Sequence, residues 1–265
     1  MWGALNMEKL WKIIELEKNF VIKDKYGLTK KIDALKDINI DIEKGETLGI
    51  IGESGSGKTT LGKIIIKLIE PDKGKIIFKN TDITNIKEKN LRSLRKKFQI
   101  IFQNPYRSLN PRMAALEIVM EGIAGNKKEK IEKGKYFLDL VGIKNEKFSN
   151  LPSQFSGGER QRISIARALS TEPEFIICDE PTSNLDLSIQ AQILNLFIDL
   201  KEKFNLTYLF ISHDLKVIKF ISDRIAVMYK GEIVEIGQTE KIIENPQNPY
   251  VKTLFDIEKT QFSIY

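Results

Sequence analysis

The stretch GESGSGKT, residues 52–59, has the glycine spacing and closing Lys-Thr pair that phosphate binding needs. Glycines let backbone N–H groups close around phosphate oxygens, a helix opening there adds positive potential, and Lys58 reaches the β- and γ-phosphates of a nucleotide. Gly52, Glu53, Ser54, Gly55, Ser56 and Gly57 form the cradle, Thr60 follows it, and the Thr59 hydroxyl suits a Mg²⁺ ion. A second stretch, FIICDEPTSNLD at 175–186, ends an apolar run in two carboxylates. Asp179 is suited to holding Mg²⁺, and Glu180 to orienting or deprotonating an attacking water. Two adjacent acids also suit a helix N-cap, a reading that loses ground beside a phosphate loop. A third, LFISHDL at 209–215, ends an apolar run in the only histidine, His213. A lone histidine is more often structural than catalytic, but one at the tip of a strand next to that of Glu180 is placed to meet a γ-phosphate.

These residues need a scaffold of alternating strands and helices. TLGII (47–51), FQIIF (98–102), FIICD (175–179), TYLFIS (207–212) and RIAVMY (224–229) read as strands, the middle ones apolar on both faces as buried parallel strands are. KTTLGKIIIKLIE (58–70), RQRISIARALS (160–170) and LSIQAQILNLFIDLKEKF (187–204) have helical length and period. KGEIVEIG (230–237) follows RIAVMY as the return strand of a hairpin at an antiparallel edge. The pattern predicts an α/β domain with a mostly parallel sheet. From about 104 to 157 the rhythm breaks into helical patterns only, which predicts a helical insertion. There QFSGGERQR (154–162) supplies a second glycine pair at a helix start, an arrangement that also serves as an ordinary Ser-Gly-Gly cap.

Composition excludes several alternatives. Of 265 residues, 42% are hydrophobic and 29% charged, ordinary for a soluble globular chain. No apolar run approaches the roughly 18 to 20 residues that cross a bilayer. MWGALNMEKL lacks the basic start and apolar stretch of a secretory signal, so the expected compartment is the cytosol. One cysteine, Cys178, and one histidine rule out a disulfide framework and any clustered soft-ligand metal centre. The net charge of +6 arises from dispersed lysine-rich segments such as NKKEKIEKGK (126–135), which read as a solvated face or as an anionic-partner patch.

Taken together, the phosphate loop, QFSGGERQR, FIICDE, SNLD and His213 resemble, in kind and order, the nucleotide-binding subunits of ABC transporters. The resemblance spans nearly the whole chain. It implies a single ABC ATPase domain over 1–265: a P-loop NTPase core of the RecA-like type, a helical subdomain inserted at about 104–157, and a C-terminal helical extension at about 238–265. It implies ATP and Mg²⁺, with Thr59, Gln103 and Asp179 at the metal and Glu180 and His213 as the catalytic pair. Ser156, Gly157, Gly158 and Glu159 match the signature that caps the nucleotide of a second subunit, and Asp186 matches the loop linking the two sites. Glu159 stands where glutamine is commoner. The base is expected to stack on Tyr26, with Phe20 as the second choice.

FQNPYRSLNPR (102–112) and NPQNPYVKTLF (245–255) further resemble the peptide and nickel importer branch of that family, although Asn248 stands where histidine is usual. The implied partners are a second ATPase subunit, identical or related, two membrane-spanning permease subunits and, indirectly, an extracytoplasmic solute-binding protein. The implied place is the cytoplasmic face of the membrane, peripherally. Peptides are the first expected solute, and nickel or a metal chelate the second. The rival class is a soluble ABC-type ATPase acting on nucleic acid or ribosomes, to which the positive charge is suited. The short interval from Lys58 to Ser156 and the single cassette argue against it, so no nucleic-acid partner is expected. A purely regulatory module would lack Glu180 or His213.

Overall fold

The computed structural model describes residues 8–23 and 29–262. In chain order the elements are β1 (Lys9–Lys23), β2 (Thr29–Glu43), β3 (Thr47–Ile51), α1 (Lys58–Ile65), β4 (Lys73–Phe78), β5 (Thr81–Asp82), α2 (Glu88–Leu94), β6 (Phe98–Ile101), α3 (Pro105–Ser108), α4 (Ala115–Met120), α5 (Lys127–Leu140), α6 (Gly157–Leu169), β7 (Phe175–Asp179), α7 (Leu187–Phe204), β8 (Thr207–Ile211), α8 (Leu215–Ile221), β9 (Arg224–Tyr229), β10 (Glu232–Gln238), α9 (Thr239–Glu244) and α10 (Pro249–Phe262). Single 3₁₀ turns at Asn145–Lys147 and Pro152–Gln154 precede α6. The chain divides into two compact units, one of Met1–Glu88 with Leu209–Tyr265 and one of Lys89–Tyr208. No helix among the described residues is long and apolar enough to cross a membrane.

The first unit holds two sheets. β3 runs parallel to β9, and β10 returns antiparallel beside β9, which is the expected hairpin. Leu48, Ile50 and Ile51 are fully buried, as are Ile225, Ala226 and Val227, so these strands form a dry core directly under the phosphate loop. The other sheet, in the order β2-β1-β4-β5, is antiparallel and was absent from the sequence reading. Its signal is nonetheless present: Ile38, Ile40 and Ile42 alternate with Asn39 and Asp41, and all three isoleucines are buried. Period-two alternation of that kind buries one face of a strand. Trp11 sits opposite Ile42 and packs on Phe78, ring centroids 4.7 Å apart.

One helix is shorter than expected. The sequence predicts α1 to Glu70, but it stops at Ile65, and Lys67 takes a left-handed conformation with φ 57°. The reason is tertiary: the Lys67 ammonium is buried, donates to the Thr84 carbonyl at 2.6 Å and pairs with Glu70. A buried ammonium needs such partners, and the helix gives way to supply them.

In the second unit β6 and β7 pair in parallel, Phe98 to Phe175 through Ile101 to Cys178. Every residue of β7 is buried. Cys178 is fully enclosed, and burial pushes its thiol well above the ordinary range. α7 covers the expected 187–204, burying Ile193, Leu194, Phe197 and Leu200 on one stripe at helical spacing. Asn205, left-handed at φ 51°, ends it. Between Pro105 and Gln154 the described elements are all helical.

Candidate functional site

In the first unit the site begins where β3 leaves the core. The loop after Ile51 turns into α1 at Gly57, whose φ is 106° and where a Cβ atom would come within 2.5 Å of the Ala34 carbonyl. Only glycine fits both constraints. α1 opens with neither a side-chain cap nor an acidic residue in its first turn. The dipole of a helix that opens this way favours an anion at its start. Lys58 is 6% exposed and donates to the Gly52 carbonyl at 2.7 Å and the Glu53 carbonyl at 2.8 Å. The ammonium is thus already folded into the cradle, and phosphate oxygens are better acceptors for it than neutral carbonyls. This donor set fits a nucleotide phosphate.

His213 is exposed in the turn after β8. That turn is braced on both sides: Ser212 N donates to Ile50 O at 3.1 Å, and Asp214 N-caps α8 by accepting from Lys216 N at 2.8 Å. Asp214 N also donates to Ser212 Oγ at 3.0 Å. The hydrogen bonds of Ser212 and Asp214 thus fix the backbone on either side of the histidine. Tyr26 lies outside the described residues. Phe20, on β1, has Lys18 Nζ 5.6 Å from its ring centroid.

In the second unit β7 delivers Asp179 at 6% exposure and then Glu180, half-buried and left-handed at φ 48°. Non-glycine residues seldom adopt this conformation, and where they do at a strand tip the surrounding structure must hold them there. Gln103 Nε2 donates to Glu180 Oε2 at 2.7 Å and sits 3.4 Å from Ser183 Oγ, while Ser183 Oγ donates to Glu180 O at 3.2 Å. The structure thus brings together two of the expected site residues, Gln103 and Glu180. It adds Ser183, which the sequence reading passed over although it stands within the same TSNLD run. Carboxylate, hydroxyl and amide oxygens are the hard ligands that suit Mg²⁺, so Asp179, Gln103 and Thr59 fit that ion in kind.

The signature opens α6 with a reciprocal cap. Ser156 Oγ accepts from Glu159 N at 3.2 Å, and Glu159 Oε2 accepts from Ser156 N at 2.9 Å. The N–H groups of Gly157 and Gly158 stand outside this box, which is the arrangement an anion ligand requires. Gly158 has a second reason to be glycine: a Cβ there would meet Ile189 Cγ2 at 2.6 Å. Ile189 N in turn donates to Asp186 Oδ1 at 3.0 Å, so the signature and the Asp186 cap of α7 are packed on one another.

Glu159 has a local reason to be glutamate as well. Lys147 Nζ lies 2.5 Å from Glu159 Oε1, and that bond, with the Ser156 N–H, holds the carboxyl below its ordinary value. A depressed folded-state pKa adds stability above the unfolded pKa and loses it as pH falls through the folded one. In urea melts Glu159→Gln should cost about 1 kcal/mol or less at neutral pH, the pair being partly exposed. The gap between parent and variant should close below about pH 4. A gap that stays constant to pH 3 would show that the charge contributes nothing.

The stretch FQNPYRSLNPR at 102–112 contains α3 and two Asx turns, Asn104 accepting from Tyr106 N at 3.0 Å and Asn110 from Arg112 N at 3.1 Å. It is tied to α6, since Arg167 Nη1 donates to Ser108 O at 2.5 Å and the Arg160 guanidinium lies 5.4 Å from the Tyr106 ring centroid.

With this geometry in view, known proteins can be set beside it. The family described as ABC transporter matches residues 35–183. The oligopeptide transport ATP-binding protein OppF of Bacillus subtilis is 48% identical over 253 residues, covering 93% of this chain and 81% of that protein. The dipeptide transport ATP-binding protein DppF of Lactococcus lactis is 46% identical over 250 residues, covering 92% and 80%. Among solved structures, a dimeric ATP-binding cassette in a post-hydrolysis state with ADP and phosphate aligns with a TM-score of 0.77 at 29% identity. That alignment covers 86% of this chain and 98% of the other. A nucleotide-free cassette from an ABC transporter also aligns at 0.77, with 26% identity over 93% and 98%.

Proposed function

The chain belongs to the ABC transporter family, and from that membership we propose that it is the ATP-hydrolysing subunit of a peptide importer. The observation that carries the ATPase reading is the start of α1: a helix with no side-chain cap and no early acid, its lysine folded beneath a glycine cradle. Peptide as the cargo rests on relatives sharing 48% and 46% of aligned residues, one an oligopeptide and the other a dipeptide transport protein.

In this reading the loop from Gly52 to Gly57, Lys58 and Thr60 bind the phosphates of ATP. Thr59, Asp179 and Gln103 would hold Mg²⁺, which when bound would neutralise the charge on the phosphates. Glu180 orients the attacking water and takes its proton, and His213 contacts the γ-phosphate. Ser156, Gly157 and Gly158 act on the nucleotide of a second ATPase subunit, with Glu159 holding the helix start and Asp186 at the junction. That arrangement is supported by the dimeric state of a solved relative. The segments at about 104–157 and 238–265 serve as a helical subdomain and a C-terminal extension. Two permease subunits complete the transporter, with this chain peripheral on the cytoplasmic face and a solute-binding protein acting from outside.

The test is uptake. Placed in cells deprived of their own oligopeptide ATPase subunit, the chain with its permease should restore accumulation of a labelled tetrapeptide, and Lys58→Ala should abolish it. ATP turnover stimulated by nickel but not by peptide would move the cargo to the metal branch. Absence of ATP binding by the purified chain would remove the ATPase reading itself.

A further inference from the structure

The C-terminal run NPQNPY is unexplained by the phosphate chemistry, and in the structure it is fastened to the phosphate loop. Glu235 on β10 accepts from Gln247 N at 2.9 Å and from Asn248 N at 3.0 Å, one bond to each carboxylate oxygen. Asn248 Nδ2 donates to the Val234 carbonyl at 3.4 Å, and Asn248 Oδ1 accepts from Tyr250 N at 2.9 Å. Asn248 therefore caps α10 and holds it to the strand, with proline in the first helical position. Val251 and Phe255 are buried and anchor the helix behind this cap.

The cap orients Tyr250. Its ring packs on that of Tyr229, centroids 4.0 Å apart and tilted by 31°, at the end of β9. The next two residues, Lys230 and Gly231, form the β9–β10 turn, both at positive φ. Gly231 N donates to Ser56 O at 3.1 Å inside the phosphate loop, and Gly231 O accepts from Lys36 N at 2.8 Å. The Tyr250 phenol oxygen is buried with no hydrogen-bond partner among the described residues, and burial, with the charge of Glu53 as a second cause, pushes its ionisation up to about 12. One route thus runs from Tyr250 to the cradle, through the Tyr229 turn to Ser56.

We propose that Tyr250 is a positioning residue for nucleotide binding: clamped by Asn248, it braces the outer side of the phosphate loop, so the C-terminal helix sets the chain's affinity for polyphosphate. This rests on the reading of the loop as an ATP site. The residue reaches the loop through the Tyr229 stack and the β9–β10 turn, so its removal changes how often the cradle holds its binding shape. Effects of this kind on a binding equilibrium run from about twofold to thirtyfold.

The test uses the purified full chain with Mg²⁺ and two probes, a fluorescent ATP analogue and inorganic triphosphate as its competitor. Tyr250→Leu should raise Kd for both by about tenfold. A residue that only stabilised the fold would lower Tm and leave Kd unchanged well below the transition. Tyr250→Phe keeps the ring and removes the hydroxyl: near-parental affinity supports the stack on Tyr229 as the brace, and a Leu-like loss would overturn it. Should Tyr250→Leu not fold, Asn248→Ala loosens the same segment and decides by the same threshold. A Kd within twofold of the parent overturns the proposal. So does a loss confined to the ATP analogue with triphosphate spared, which would make Tyr250 a contact of the base. A parent chain that binds neither probe sinks the ATP-site reading instead.

Discussion

Glu180→Gln should bind ATP as the parent does and turn it over more slowly by on the order of a hundredfold or more, the range for losing a general base. The substitution is conservative where the structure is demanding. Glutamine at 180 can still accept from Gln103 Nε2 through its own amide oxygen, and it bears the left-handed φ of 48° no worse than glutamate does. Fold and site shape are therefore kept, while the anionic oxygen proposed to take the proton of water is lost. Asp179 has the same charge, but it is committed to the metal in the proposed mechanism. The measurement is turnover with Mg²⁺ and ATP, together with size-exclusion mobility, where a longer-lived closed dimer should appear. Near-normal turnover would transfer the role of base, with His213 the next group to test.

Ser156→Arg should leave ATP binding by the isolated chain intact and reduce turnover of the paired subunits to background, because in the proposed arrangement a long cation at the signature would block the cap on a second subunit's nucleotide. The structure demands a control. Ser156 is also the N-cap of α6, and losing its oxygen costs about 1 kcal/mol in helix stability regardless of any partner. Ser156→Ala suffers that cost without adding bulk. Turnover lost in the arginine variant and largely kept in the alanine variant separates the blocked interface from the weakened helix. Loss of ATP binding by the arginine variant as a monomer would end the trans assignment.

Where the sequence was a good guide, local pattern and tertiary demand agreed. The buried strand before Gly52, the wholly buried run ending at Asp179 and the stripe of α7 each needed only their own periodicity and a cap to be recognised. The phosphate loop was legible for a stronger reason: its glycines, lysine and threonine are dictated by one ligand. The β1–β2 sheet was missed because Asn39 and Asp41 are weak strand formers that mask the alternation of three isoleucines. The early stop of α1 depends on Lys67 finding Thr84, seventeen residues on, which no window of sequence reveals. Glu159 looked like a departure from a pattern, and the ion pair with Lys147 supplies its reason only once both are folded. Ser183 and Tyr250 meet neighbours distant in sequence, Gln103 and Tyr229, and side chains of that kind announce themselves by contact and not by spacing.

The buried thiol of Cys178 has a practical corollary for chemical labelling. It is the sole cysteine of the chain, fully enclosed in the strand that carries the carboxylates, and burial keeps it in the unreactive thiol form. Maleimide and spin-label reagents attack thiolates that they can reach. The native chain is therefore a dark background, and a cysteine introduced at an exposed position such as Tyr106 or Leu187 becomes the single bright point on it. Distances between such points on paired subunits can be followed through an ATP cycle without first removing a native residue from the strand beneath the site.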